Sequence, residues 1–415
     1  MLASSVLHDA NRAGLAVDSI VPVGGLRRFA PDIGNVSLLA IAPADTHPAL
    51  IRALGRLSAA TRVSTSSESH VQMATERGTV TVHLAAAEDA GGALVWHTGS
   101  RAHTQQLERR ARPLGLALEK GRLSRADGSP VPAATEDAFY RHLELPFIPP
   151  ELREGIDEIA AAERGELPSL ITDRDIRGDL HMHTNWSDGR DSLDEMIAAA
   201  RELGYEYVAI TDHSERSLAS RKITARDIPR QRDEIVAHRA RVPGVQVLHG
   251  VEVDIMHDGS LDFDDELLEG LDIVLASLHD HGGHSAEQLT ERYLRAIRHP
   301  LVNVITHPAN RSPGRTGGYN VAFDRVFAAA AETGTAMEID GAPGHLDMDG
   351  ALARRAVAAG VTIVINSDCH RADALGRQMW FGVGTARRGW IEPAHVLNAR
   401  GIDAIREFVA RKRAR

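Results

Sequence analysis

Cysteine is almost missing. Cys369 is the sole cysteine in 415 residues, which excludes an internal disulfide framework and suits a reducing cytoplasm. Long apolar runs are missing as well: no stretch reaches the roughly 18 apolar residues that a spanning helix needs. The opening MLASSVLHDANRAGL has no basic segment leading into an apolar one, so no secretory signal is expected. Positive charge is in deficit, with a formal net charge of −10. That argues against a nucleic-acid coat binding by bulk charge, though not against a local basic track. Internal repeats and low-complexity tracts are absent. What remains is 43% apolar and 25% charged, an ordinary composition with ample core, long enough for two or three domains. A soluble, cytoplasmic protein without a membrane segment is expected, and its oligomeric state is left open.

Histidine, by contrast, is plentiful. There are 21, and 14 of them follow residue 170. The first 170 residues read as α+β. A helical opening over 5–13 leads to SIVPVGGLRR and GNVSLLAIAP, and GTVTVHLAAA alternates as a strand should. The prolines of LELPFIPPELREG and GELPSL lead into a linker placed at 166–176. After it the rhythm changes. Seven short β-rich runs follow (GDLHMHT, YVAITDH, VQVLHGVEV, DIVLASLH, VNVITHP, TAMEID and VTIVINSDCH), most separated by helical stretches. Strand–helix alternation implies parallel strands, and seven of them suggest a closed α/β barrel. In such barrels chemistry gathers at the C-terminal strand ends.

Those ends carry His181, His183 and Asp188; Asp212 and His213; Glu252; His279; His307; and Asp368 with His370. The sixth run offers Glu338 and Asp340. One histidine at a strand end is more often a hydrogen-bonded structural residue. Many ionisable groups on one rim reverse that expectation, because gathering them is costly unless something neutralises them. Divalent ions do so, and mixed nitrogen and oxygen ligands suit Zn²⁺, Mn²⁺ or Fe²⁺ rather than Ca²⁺. So many ligands exceed the needs of one ion, and two or three are expected. Paired ions clamp the attacking and leaving oxygens of a phosphoryl displacement.

The HxH start with TDH, GVE, SLH, THP and SDCH resembles the PHP (polymerase and histidinol phosphatase) family of metallophosphoesterases. LGYEYVAITDHS, DGSLDF and GVGTARRGWIEPAHVLN look like the PHP domain at the C-terminus of bacterial family X DNA polymerases. VGGLRR, WHTGSRAHTQQLERRARPLGLALEKG and LPFIPPELREG are similar to the palm and thumb of the same proteins, so the resemblance spans nearly the whole chain. It implies a distorted (β/α)7 PHP barrel over 177–415, preceded by a palm-like region at 1–85 and a thumb-like region at 86–165. It also implies a ligand partition. His181, His183, Glu252 and Asp368 would hold one ion. Glu252 would bridge to a second with His279 and His307, and Asp188, His213 and His370 would take a third. A metal-bound hydroxide would then attack phosphorus.

The chain departs from that family in places. Where palms carry two metal-binding acids, IGNVSLLA has Asn35 and Ser37, and the third position appears as His83. Asp32 is close by, but its spacing is wrong for the pair. Without three carboxylates, nucleotidyl transfer loses its metal support. The resemblance also starts at about the palm, without the helical DNA-gripping region. Residues Thr98, Gly99, Ser100 and Arg101 could touch DNA or form a packing turn. IDGAPGHLD places Asp340 and His345 where family X versions carry Asn and Arg. Arg311 and Arg315, just past His307, are candidate phosphate contacts. Cys369 reads as a small apolar bystander, and Arg387 and Arg388 could be structural or face substrate.

The resulting expectation is a metal-dependent phosphoesterase acting on DNA ends in repair: a 3′→5′ exonuclease, with 3′-phosphatase or abasic-site activity as further options and polymerase activity lost. Two alternatives stand beside it. One is a phosphatase for small phosphomonoesters such as histidinol phosphate or a nucleotide. The other is a non-catalytic DNA-repair scaffold.

Overall fold

The change of rhythm near residue 170 corresponds to a division of the chain. The computed structural model describes residues 2–15, 17–242 and 244–415, and it separates into one unit at Met1–Leu167 and another at Pro168–Arg415.

The first unit is built on five strands: β1 (Ser19–Val23), β2 (Val36–Ile41), β3 (Arg62–Ser66), β4 (His70–Thr75) and β5 (Gly78–Ala85). Their order is β1-β2-β5-β4-β3, with β2 and β5 parallel and the other neighbours antiparallel. The alternation read in GTVTVHLAAA has a direct physical meaning. Val80, Val82 and Leu84 face one way, beside Leu38, Ala40, Val71 and Met73 of the neighbouring strands and in one core with Leu50 and Leu54, while residues of the other parity turn to the opposite face. The β3–β4 pair was not foreseen: β3 is exposed along its length, although Val71 and Met73 alternate into the core along β4. A second, three-stranded antiparallel sheet consists of β6 (Leu116–Glu119), β7 (Arg122–Arg125) and β8 (Pro130–Val131). The helix Ala90–Thr98 crosses this region at very close range: a Cβ on Gly92 would lie 2.0 Å from the Gly121 carbonyl oxygen. No residue but glycine fits there.

TGSRAH is a packed turn. Thr98 Oγ1 accepts from Arg27 and the Thr98 carbonyl from Arg28, and Ser100 caps the helix Arg101–Ala111 through the His103 N–H. Behind it, buried Arg153 reaches Glu136 at 2.6 Å, and Glu136 is also paired with Arg27.

The second unit contains seven parallel strands in sequence order: β9 (Gly178–Asp179), β10 (Tyr207–Ile210), β11 (Gln246–Asp254), β12 (Ile273–Ser277), β13 (Val304–Ile305), β14 (Ala336–Asp340) and β15 (Ile363–Asn366). Each falls on one of the seven β-rich runs, β11 passing the end of its run by one residue at Asp254. A bridge between Met182 and Cys369 joins the first run to the last, so the sheet nearly closes into a barrel. These strands are buried on both faces, which explains why they read as continuous apolar runs.

The inward-facing register changes character along its length. At the N-terminal end it carries Leu180, Tyr207, Leu248, Ile273, Val304, Ala336 and Val364, closed off by Ile405, Phe408 and Val409 of the last helix, Ile402–Arg413. Two or four residues further along the same register come Glu252, Thr306, Glu338 and Asn366, all buried. The 166–176 stretch expected as a linker includes Ile171 and Ile176, both packed into the barrel's outer core, and Arg387 donates to the Ile171 carbonyl.

Candidate metal centre

The structure brings all nine sequence-selected ligand residues together at the C-terminal rim. His181 and His183 stand two residues apart beyond β9, yet their Nε2 atoms approach to 3.2 Å, because the chain leaves the strand after Asp179 and the two rings turn inward together. Asp368 Oδ1 lies 3.0 Å from His183 Nε2 and 3.7 Å from His181 Nε2, and Glu252 Oε2 lies 3.4 Å from His181 Nε2. The other Glu252 oxygen is 2.9 Å from His307 Nε2 and 3.7 Å from His279 Nε2. Asp188 Oδ1 sits 3.2 Å from His370 Nε2 and 3.6 Å from His213 Nε2. His183 is stacked between His213 and His370, each 4.2 Å away. Ligand atoms of His181, His183 and Asp368, and those of His183, Asp188, His213 and His370, lie within 4.8 Å of one another. Glu252 and His279 group instead with His213, whose Nδ1 is 2.7 Å from Glu252 Oε2, so His213 stands between the expected second and third sets.

Several of these short approaches lack hydrogen-bond geometry. Glu252 Oε2 and Asp188 Oδ1 are buried without a hydrogen-bond partner. Both oxygens lie within 3.6 Å of imidazole nitrogens, Glu252 Oε2 as near as 2.7 Å to His213 Nδ1, an arrangement in which a cation can be enclosed. The residues present fit a group of divalent ions.

The electrostatics agree. Burial alone would raise Glu252 and Asp368, yet the surrounding imidazoles hold both carboxylates well below their usual range. Burial and the neighbouring rings of His213 and His370 push His183 down to about 3, leaving it neutral and able to donate a lone pair. Burial also opposes charge on His307, but Glu252 outweighs it and lifts the imidazole to about 9. Protons and metal ions compete for the same lone pairs here.

A second layer orients these groups. Glu338 Oε1 lies 2.8 Å from His181 Nδ1 and accepts from Asn366 Nδ2, while Oε2 accepts the His307 backbone N–H at 2.9 Å. Asp254 stands 3.0 Å from His279 Nδ1. Asp212, read from the sequence as a strand-end acid, is no rim ligand. It accepts from the Thr184 and Ser187 N–H groups, both their hydroxyls and Gln231, and so ties down the loop that carries Asp188. Such outer partners fix tautomer and ring orientation. Asp254 was missed in the sequence, though its place two residues after Glu252, on the same face of β11, is the signal that would have found it.

The remaining candidates are placed differently. Arg311 is buried with Nη1 3.9 Å from Asp349, and Arg315 lies on an exposed turn. The Cys369 thiol donates to the Arg371 carbonyl and is pushed up to about 12 by burial, a poor nucleophile. In the first unit, Ser37 on β2 and His83 on β5 occupy adjacent parallel strands in registers that face the same way. Among the described residues, every group of three or more potential ligands lies in the second unit.

Two protein families match the chain: the DNA polymerase beta thumb over residues 93–154 and the PHP domain over 179–339. The Bacillus subtilis protein named "DNA polymerase/3'-5' exonuclease PolX" is 37% identical over 76% of this chain, which spans 55% of that relative's length. A Shewanella oneidensis protein named "Probable phosphatase" is 31% identical over 48% of this chain and 78% of its own. A Thermoanaerobacter relative, also named a "Probable phosphatase", is 29% identical over 48% of this chain and 81% of its own.

Proposed function

Because this chain belongs to the PHP-domain family, with a polymerase-beta thumb ahead of its barrel, we propose that it hydrolyses phosphodiesters at DNA ends as a 3′→5′ exonuclease and no longer polymerises. Its coarser nature, a metal-dependent phosphoesterase, follows from the family. The observation that carries the reading is the convergence of nine ligand residues on one rim around Glu252. Divalent ions held there supply activation of water and neutralisation of charge on the phosphoryl oxygens. The chain's own part is to orient the ligands. Glu338 and Asp254 set the tautomers of His181 and His279, Asp212 fixes the loop of Asp188, and Glu252 faces two ligand groups with its two oxygens.

The DNA substrate draws its support from the Bacillus relative's name and from the thumb match. Loss of polymerisation draws on Ser37 and His83, which present a hydroxyl and an imidazole on the face of β2 and β5 where the resemblance calls for acids. A second reading, hydrolysis of a small phosphomonoester, is favoured by the 31%-identical phosphatase relative, 78% of whose length is matched.

One experiment separates them. A 5′-labelled single-stranded oligonucleotide is incubated with Mn²⁺ beside a phosphate-release assay on small phosphomonoesters, each repeated with His183→Ala. A shortening ladder that vanishes in the variant supports the exonuclease. Phosphate release with an intact oligonucleotide moves the reading to the small-molecule phosphatase, and inactivity in both leaves a DNA-repair scaffold.

A further inference from the structure

We infer that Asp340 and His345, neither of them among the nine, join Asp368 of the nine-residue constellation in a further metal site that holds a divalent transition-metal ion through two carboxylates and one imidazole. One ligand atom from each of the three lies within 4.8 Å of the others. Asp340 is the last residue of β14 and wholly buried. Its Oδ1 accepts the Ala342 N–H at 2.6 Å, and its Oδ2 has no hydrogen-bond partner. His345 follows in the turn after β14, its Nδ1 likewise buried and without a hydrogen-bond partner. Its ring stacks on His307 with centroids 5.0 Å apart and planes 21° apart, which fixes the direction of its nitrogens.

Leaving two such atoms buried and unmatched is costly, and nearby groups are already committed. Glu338 spends its oxygens on His181, Asn366 and the His307 N–H. Asp368 meets His181, His183 and His370 through Oδ1, and a carboxylate has two oxygens with which to bridge ions. Two desolvated carboxylates this close repel unless a cation or a proton lies between them. An imidazole aimed at the same place favours the cation. Two oxygens and one nitrogen suit Mn²⁺, Fe²⁺ or Zn²⁺ and leave positions open for water or a phosphoryl oxygen.

The test counts ions in the full-length protein. Wild type, Asp340→Asn and His345→Gln are each saturated with Mn²⁺, desalted and analysed by inductively coupled plasma mass spectrometry, with circular dichroism to verify folding. Each variant is expected to retain one equivalent per chain fewer than wild type. A count unchanged in either folded variant overturns the proposal, leaving a proton shared between Asp340 and Asp368, or His345 as a substrate contact. Should neither variant fold, anomalous scattering from crystals of Mn²⁺-loaded wild type decides: a peak between Asp340, His345 and Asp368 supports the site, and its absence sinks it. The count is read without turnover, so it stands or falls apart from the exonuclease reading.

Discussion

Replacing Glu338 by Gln should weaken metal binding without touching any of the nine ligands. Glu338 is fully buried and accepts from three directions: His181 Nδ1 at 2.8 Å, Asn366 Nδ2 at 2.8 Å and the His307 N–H at 2.9 Å. Glutamine offers one oxygen and one NH₂. Whichever way the amide is turned, at least one buried donor faces another donor, at a cost of about 1–3 kcal/mol in the metal-free fold. The larger effect falls on the imidazole. Without a carboxylate behind it, His181 Nδ1–H is held less firmly and Nε2 becomes a weaker base. Losing such an outer partner typically lowers metal affinity about 10- to 100-fold, or roughly 1.4–2.8 kcal/mol. The assay is competition for Mn²⁺ or Zn²⁺ against a chromophoric chelator, with melting of the metal-free protein recorded in parallel. Wild-type affinity in a folded Glu338→Gln protein would refute the reasoning, because His181 would then need no partner to act as a ligand.

Further outcomes are expected. Glu136→Ala leaves buried Arg153 without its carboxylate, and should cost about 3–5 kcal/mol of stability by urea denaturation; a change below ~1 kcal/mol would show that the Ile148 carbonyl suffices for that guanidinium. Burial first, and then their neighbouring imidazoles, depress His83 to about 4 and His97 to about 3. The unfolded chain takes up these protons near pH 6.5, so the stability held above that pH should drain as pH falls toward 4, by up to ~1.4 kcal/mol per unit per histidine. His97→Phe, which keeps a ring against His83, should flatten that slope in urea midpoints measured from pH 7 to 4.5; an unaltered slope counts against the assignment. Stripping metal with EDTA should lower the calorimetric melting temperature by an amount corresponding to ~2.7 kcal/mol if the ions had been present at 100 times their dissociation constant, and Mn²⁺ should restore it. Gly92→Ala should leave the first unit misfolded or strongly destabilised by proteolysis and circular dichroism, since backbone meets backbone there.

Much of this protein was legible in order along the chain. Seven apolar runs became seven parallel strands because strands covered on both faces need apolar residues at every position. The candidate ligands were legible because imidazole and carboxylate at the end of an apolar run have few structural uses in common. The edge strand β3 was not legible: an exposed edge such as Arg62–Ser66 carries no hydrophobic period. Nor was the docking of 168–176, where two isoleucines among polar residues pack against helices more than 200 positions away.

By itself the sequence determined the alternation of elements, the identity of the groups at the strand ends and the absence of acids at Asn35, Ser37 and His83. These depend on residue type and on periodicity, both local properties. Only the tertiary structure decided what each group does. Asp212 and Asp188 are both acids close to a strand end, yet one is surrounded by five donors and holds a loop, while the other turns a buried oxygen toward two imidazoles. The difference lies in what the closed sheet brings against each carboxylate from distant parts of the chain, since the demand of a buried charge is met by its neighbours in space.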